Sequence, residues 1–253
     1  MKIQFHSDLH VEFYHDLKHR KFEVAKDVDV LIFAGDIANS PQLAYEFFYN
    51  IRKSFFGHII YFLGNHEYYG HSSTKCYEYF KLMLNLNVDI LDKNNPPDGQ
   101  ILKINDITFI GDTLYSDLSN PVRAQAVKRG LTDFRVVKGM DIDLWQAYFD
   151  ISSTMIDNNL FRAKTNNTNN KTVVITHFAP LPNLITPGFE GNSVNDGFVS
   201  DLSEMILQYQ PAYWIYGHTH SNIDYQLGNT KIVCNQFGYR HENPTMITRT
   251  IEI

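Results

Sequence analysis

The sequence predicts an α/β fold, because short apolar runs alternate with amphipathic segments along most of the chain. The apolar runs are rich in β-branched residues, a pattern typical of strands that helices bury on both faces. Five of them lie at residues 3–6, 28–34, 59–63, 172–176 and 212–216. The regular exchange of such strands with helical segments indicates α/β architecture.

Four segments between the strands carry apolar residues at helical spacing. They lie at residues 40–55, 72–86, 141–161 and 198–211. In the first of them, Ser40 is a suitable N-cap and Pro41 fits the first helical position. We therefore expect helices to cover the strands.

Two predicted β-hairpins add antiparallel pairs to the parallel-type units. Residues 101–111 should turn at Asn105 and Asp106, and residues 222–235 at Gly228 and Asn229. Residues 245–253 alternate between polar and apolar side chains and predict a final strand. The strands should therefore be mixed in direction.

The chain shows no strong domain boundary and no internal repeat. Its 253 residues are 43% hydrophobic, which is enough for a large core. We therefore predict one domain over residues 1–253. The segment from about residue 113 to 150 interrupts the sheet pattern, and we expect it to form a cap, since long segments at strand ends often carry function.

Charge, cysteine content and the lack of targeting segments argue against several classes of protein. The net charge is −6, which argues against long nucleic acid as a partner. Cys76 and Cys234 form no CxxC motif and are expected to be reduced thiols. The N-terminus lacks a signal-peptide pattern, and no apolar run has the length of a membrane span. We therefore expect a cytoplasmic protein without membrane contact; the sequence leaves its oligomeric state open.

Nitrogen and oxygen donors follow all five apolar strands. The strands end in "SDLH", "AGD", "GNHE", "THF" and "GHTH", and ligand sites of α/β sheets gather at such carboxyl ends. Each motif alone has an ordinary explanation as a turn or structural residue, but their joint occurrence favours one site. The candidate metal ligands are Asp8, His10, Asp36, Asn65, His177, His218 and His220.

The number of donors indicates two divalent ions. Seven donors exceed what one ion normally takes from a protein, whereas two ions that share a carboxylate would use them all. Asp36 is the natural bridge, because its two oxygens can contact different ions. The donor types suit manganese, iron, zinc and nickel equally.

These motifs resemble those of the calcineurin-like metallophosphoesterase superfamily in order and spacing. The matching residues are DLH at 8–10, GD at 35–36, GNHE at 64–67, His177 and GHTH at 217–220. The stretch "GHTHSNIDYQLGNTKIVCNQFGY" further resembles small prokaryotic and phage-type members, in which an arginine is common where this chain has Phe237. The resemblance implies a two-sheet β-sandwich core of mixed strands, flanked by α-helices, with a dinuclear metal site at one end.

The resemblance also implies a role for each donor. His66 corresponds to the catalytic histidine of the family, and Glu67 would orient its neighbours. Asp36 would contact both ions. The first ion would be held by Asp8, His10, Asp36 and His220, and the second by Asp36, Asn65, His177 and His218.

The predicted function is hydrolysis of phosphomonoesters or phosphodiesters by a hydroxide that two metal ions activate, with His66 assisting the leaving group. One alternative is a nucleotide or oligonucleotide phosphodiesterase, or nuclease, on the same fold. A non-catalytic metal-binding scaffold is another, and the presence of all seven donors weighs against it. The substrate is a phosphoester, with a nucleotide as one candidate.

Three residues are predicted to contact substrate. Tyr68 follows GNHE and offers an aromatic face, Arg135 lies in the predicted cap, and Asn195 lies in the segment after His177. The plainer alternatives are a half-buried aromatic side chain for Tyr68 and a solvated charged helix for Arg135.

Overall fold

Two β-sheets pack face to face in the computed structural model. The structure describes residues 1–14, 22–72, 75–93, 100–242 and 245–253. Within these residues, the first sheet has the strand order β11-β1-β2-β3-β4. Its strands are β1 (Lys2–His6), β2 (Val30–Ala34), β3 (His58–Phe62), β4 (Val88–Leu91) and β11 (Thr250–Glu252).

The second sheet has the order β5-β6-β7-β8-β10-β9. Strands β6, β7, β8 and β10 are parallel, whereas β5 and β9 pair with their neighbours in antiparallel hairpins. The strands are β5 (Ile101–Ile104), β6 (Ile107–Asp112), β7 (Thr172–Thr176), β8 (Tyr213–Tyr216), β9 (Tyr225–Leu227) and β10 (Thr230–Cys234).

Helices cover the outer faces of both sheets. The helices of the described residues are α1 (Pro41–Arg52), α2 (Cys76–Phe80), α3 (Pro121–Gly130), α4 (Asp133–Val136), α5 (Ile142–Thr165) and α6 (Ser203–Tyr209). Along each central strand, successive side chains point to opposite faces, so alternate residues enter different cores. Phe5 and Ile175 lie in the core between the sheets, whereas Phe33 and Val174 lie in the core beneath the helices.

The predicted fold class is confirmed: two mixed sheets are flanked by helices, and both predicted hairpins are present. Strand β4 was not predicted, because Asp89 interrupts a run of only four residues at the sheet edge. Residues 72–86 form the short helix α2 and a 3₁₀ segment, Lys81–Leu86, instead of one helix. Residues 73–74 lie outside the described part of the chain. The one-domain organisation and the cap stay predictions.

The two sheets are joined at one end through the residue that follows β1. Ser7 donates its backbone N–H to the carbonyl of Asn235 and accepts a hydrogen bond from Phe237 N–H, both at 3.1 Å. This bridge holds the carboxyl end of β1 against that of β10. No helix in the described ranges has the length and apolar character that a bilayer span requires.

Candidate metal centre

The predicted donors meet at the carboxyl ends of five parallel strands. Asp8 and His10 follow β1, Asp36 follows β2, and Asn65 follows β3. From the second sheet, His177 follows β7, and the His218–His220 pair follows β8. All of these side chains are buried except that of His220, which is 12% exposed.

Ligand atoms of these residues form two neighbouring clusters. In each cluster the atoms lie within 4.8 Å of one another: Asp8, His10 and His220 form one, and Asp36, His177 and His218 the other. The Asp36 carboxylate, a member of the second cluster, also faces the first. Its Oδ1 is 3.4 Å from His177 Nε2, and its Oδ2 is 3.8 Å from His10 Nε2.

The orientation of the imidazole rings fits bound cations. Glu242 Oε2 lies 2.9 Å from His220 Nδ1, and Ala34 O lies 2.9 Å from His177 Nδ1. Both oxygens are acceptors, so each Nδ1 carries the hydrogen and each Nε2 faces the site. His220 Nε2 lies 3.1 Å from His10 Nε2. Two ring nitrogens at this distance would repel each other through their lone pairs unless a proton or a metal ion lies between them.

The second cluster shows the same arrangement. His177 Nε2 lies 2.9 Å from Asn65 Oδ1, another acceptor. The Asn65 amide is oriented by Asp133, whose Oδ1 accepts a 2.9 Å hydrogen bond from Asn65 Nδ2. Asp133 therefore turns the amide oxygen toward the site, which is the orientation that a metal ligand needs.

In the absence of metal, protons stabilise both clusters. Burial would lower the pKa of His177, but the Asp36 carboxylate raises it to about 9. Burial would likewise lower the pKa of His220, but hydrogen bonds with Asp8 and Glu242 raise it to about 10. The two imidazolium protons thus lie where cations would bind.

The backbone of the donors is strained. Asp8, His10, Asp36, His218 and His220 all have positive φ angles, between 43° and 74°. Residues with a Cβ rarely adopt this left-handed region, at a cost of roughly 1–2 kcal/mol each. Surrounding contacts must therefore hold these residues in place.

Glu67 supplies many of these contacts. Its Oε1 accepts hydrogen bonds from Ile37 N at 2.7 Å, Ala38 N at 3.2 Å and Tyr61 Oη at 2.6 Å. Its Oε2 accepts from the backbone N–H groups of Asp36 at 3.0 Å and Gly64 at 2.7 Å. One buried carboxylate thus fixes the turns that carry Asp36 and Asn65.

Gly64 allows those two turns to approach each other. A Cβ at this position would lie 2.2 Å from Asp36 Oδ1. The close approach lets His66 N–H donate a 2.8 Å hydrogen bond to the same oxygen. The glycine of the GNHE motif is therefore required by the position of the Asp36 carboxylate.

A cavity of ≈ 680 Å³ opens beside the clusters. Donors of both clusters line it, together with apolar residues and further polar ones. Among the described residues that line it, none is a lysine or arginine. The apolar residues are Leu131, Ile185, Phe189, Val194 and Phe198.

The predicted substrate contacts are placed differently from one another. Asn195 lines the cavity. Tyr68 is fully buried beneath the site, where its hydroxyl donates to Asp92 Oδ2 at 2.8 Å. Tyr69 lines the cavity in its place and stacks on His66 at 4.2 Å between ring centroids. Arg135 is exposed, does not line the cavity and bonds to its own segment.

Four further residues contact the site and were not predicted. Glu12 faces His10 and His66. Burial would raise the pKa of Glu12, but hydrogen bonds with these two imidazoles lower it to about 2. Its spacing two residues after His10 was the available signal. Tyr239 and Glu242 follow β10, and Asp133 lies in α4; no pattern in the sequence distinguishes them.

Comparison with known proteins identifies the family of this chain. The family model for calcineurin-like phosphoesterases matches residues 1–222, and the chain belongs to this family. An uncharacterised protein of Acanthamoeba polyphaga mimivirus is 28% identical to this chain over an alignment 265 residues long. The alignment covers 95% of this chain and 92% of that protein.

Two solved structures share the fold. Phosphopantetheinyl hydrolase from Mycobacterium tuberculosis has a TM-score of 0.73 and 16% identity, covering 99% of this chain and 95% of that one. A dimetal phosphatase from Danio rerio has a TM-score of 0.55 and 10% identity, covering 99% and 91%. Family membership supports metal-dependent hydrolysis of phosphoesters.

Replacement of Glu67 by Gln should destabilise the metal-free protein by at least about 2 kcal/mol, because an amide N–H₂ would then face backbone N–H donors. Urea unfolding of the metal-free protein measures the change. The matched variant Glu204→Gln, at an exposed position of α6, should change the free energy of unfolding by no more than about 0.5 kcal/mol. Equal stability of the two variants would contradict the anchoring role.

Metal binding near neutral pH should release protons, because His177 and His220 are protonated in the metal-free protein and must lose a proton to bind an ion. The release should fall as the pH rises through about 9 for His177 and about 10 for His220. Calorimetric titration with Mn²⁺ in buffers of different ionisation enthalpy measures it. A proton release that does not depend on pH would be inconsistent with these pKa values.

Proposed function

We propose that this chain is a hydrolase of phosphoesters that uses two divalent ions. The observation that carries the proposal is the pair of donor clusters with the Asp36 carboxylate facing both. We assign Asp8, His10, Asp36 and His220 to one ion, and Asp36, Asn65, His177 and His218 to the other. Manganese, iron, zinc and nickel all suit these donors.

When bound, the ions would neutralise phosphate oxygens and lower the pKa of a water molecule. The lack of lysine and arginine among the described lining residues makes this supply of positive charge necessary. Donors of both clusters line the cavity, so a phosphate group in the cavity would reach ions held by them.

We assign His66 as the proton donor to the leaving oxygen. Its Nε2 faces the site, 3.8 Å from Asp36 Oδ2 and 2.9 Å from the Tyr239 hydroxyl. Burial would lower the pKa of His66, but the negative charges of Asp36 and Glu12 raise it above its ordinary value. These charges favour the protonated imidazole, which can transfer a proton from Nε2 as the ester bond breaks.

The cavity supports an ester with an organic alcohol group. A volume of ≈ 680 Å³ exceeds what a phosphate group alone fills, and apolar residues contribute to the lining. The second candidate function, a nucleotide phosphodiesterase, is favoured by Tyr69, since an aromatic ring beside a site can stack on a base. A screen of phosphomonoesters, phosphodiesters and dinucleoside polyphosphates with each metal tests both; no turnover of any ester would overturn the proposal.

His66→Ala should lower the hydrolysis rate by roughly 100-fold or more, because the proton for the leaving group is lost. The loss should be larger for an alkyl ester than for a p-nitrophenyl ester, whose leaving group needs no proton. Metal content should be unchanged. His58→Ala, at an exposed residue of β3, should retain the wild-type rate; full activity of His66→Ala would refute the assigned role.

His218→Ala and His220→Ala should each weaken a different metal site, since the two side chains belong to different clusters. Titration with Mn²⁺, followed by metal analysis, should show one weakened and one retained class of site in each variant. The affinity of the retained class should differ between them. Loss of the same class of site in both variants would show that the pair binds a single ion.

A further inference from the structure

Three buried polar atoms face one another at the edge of the first cluster. Glu12 Oε1 lies 3.7 Å from His10 Nδ1 and 3.7 Å from His66 Nδ1. None of the three has a hydrogen-bond partner among the described residues. A buried polar atom without a partner costs roughly 1–3 kcal/mol, so these atoms are expected to pair with each other, directly or through one water.

Each of the two imidazoles has its other nitrogen in the proposed metal site. His10 Nε2 and His66 Nε2 both lie 3.8 Å from Asp36 Oδ2. The rings pack edge to face, with centroids 4.5 Å apart. One carboxylate therefore lies at the Nδ1 side of both a proposed metal ligand and the proposed proton donor.

Backbone contacts fix the position of Glu12. It lies in a 3₁₀ turn, Val11–Phe13, and its side chain is only 8% exposed. The N–H groups of His10 and Val11 donate to the carbonyls of Asp36 at 3.0 Å and Ile37 at 2.9 Å. Glu12 is thus held by the same turn that carries the bridging carboxylate.

We propose that Glu12 is a positioning residue that fixes the tautomer of both His10 and His66. An ionised carboxylate can only accept hydrogen bonds, so both Nδ1 atoms must carry hydrogen. The lone pair of His10 is then confined to Nε2, where a metal ion would bind. In His66, Nε2 becomes the nitrogen that gains and loses the proton. The inference about catalysis rests on the proposed function, whereas the tautomers are a property of the metal-free protein.

The neighbouring histidines provide internal references. His177 Nδ1 lies 2.9 Å from Ala34 O, and His220 Nδ1 lies 2.9 Å from Glu242 Oε2. Neither of these Nδ1 atoms depends on Glu12. A change at Glu12 should therefore alter His10 and His66 without altering His177.

The tautomers can be read by ¹⁵N–¹H correlation spectra of the imidazole rings in metal-free protein, at a pH at which His66 is neutral. Hydrogen on Nδ1 of both His10 and His66 is the expected result. Hydrogen on Nε2 of either ring, or a mixture of tautomers, would overturn the proposal. This measurement needs no variant and no enzymatic activity. An inactive protein would therefore refute the proposed function without changing the expected tautomers.

Two matched variants then separate positioning from general stability. In Glu12→Ala, no carboxylate faces either Nδ1 atom, so His10 and His66 should both lose their fixed tautomer. Glu242→Ala should change His220 and leave hydrogen on Nδ1 of both His10 and His66. Unchanged His10 and His66 spectra in Glu12→Ala would contradict the proposal; if that variant does not fold, Glu12→Asp, which shortens the side chain, replaces it.

Function should change in the same pattern. Both variants should bind Mn²⁺ more weakly, by about 10-fold to 100-fold, because each removes the partner of a metal-ligating imidazole. With metal saturating, only Glu12→Ala should lose more rate on an alkyl ester than on a p-nitrophenyl ester, because Glu12 lies beside His66 Nδ1 whereas Glu242 lies beside His220. An equal loss of rate on both esters would show that Glu12 positions His10 alone, and it would overturn the proposal that Glu12 positions both histidines.

Discussion

The site depends on one buried carboxylate that is not itself a proposed ligand. Glu67 accepts four backbone N–H groups and the Tyr61 hydroxyl. The backbone donors come from two turns that follow neighbouring strands of the first sheet, and Tyr61 lies in β3 itself. A carboxylate offers about four lone-pair directions, so these five donors leave none of them free. The position of Asp36 relative to Asn65 is therefore set by Glu67, and the adjoining His66 is carried in the same turn.

This anchoring explains how the chain tolerates a site that is unfavourable in isolation. Five donors have left-handed backbone conformations, and several carboxylates and imidazoles are buried together. Protons on His177 and His220 partly compensate the carboxylate charges in the metal-free protein. Strain of this kind persists only where surrounding contacts over-determine the conformation, and here the packed sheets and the Glu67 hydrogen bonds do so.

The sequence was sufficient to predict the class of the sheets and the candidate donors that lie together, because each donor follows a strand with a clear apolar pattern. It was insufficient where a side chain's direction depends on a short turn. Tyr68 and Tyr69 are adjacent and chemically alike, yet the turn at His66–Tyr68 directs the first into the core and leaves the second beside the cavity. Asp133, Tyr239 and Glu242 reach the site from loops and a short helix whose course no periodic pattern specifies, and Asp89 hid the edge strand β4. The cap and the one-domain organisation remain predictions.

The two-sheet origin of the donors has a mechanical consequence. His10 and His220 are 210 residues apart in the sequence, and they approach the same cluster from opposite sheets. Ions bound there would act as a cross-link that closes a loop of most of the chain, and the entropy of such a closure grows only slowly with loop length. Sliding of one sheet over the other would stretch this cross-link first. Metal loading would therefore report whether the two halves of the sandwich have docked, because the site is complete only where both sheets are in place.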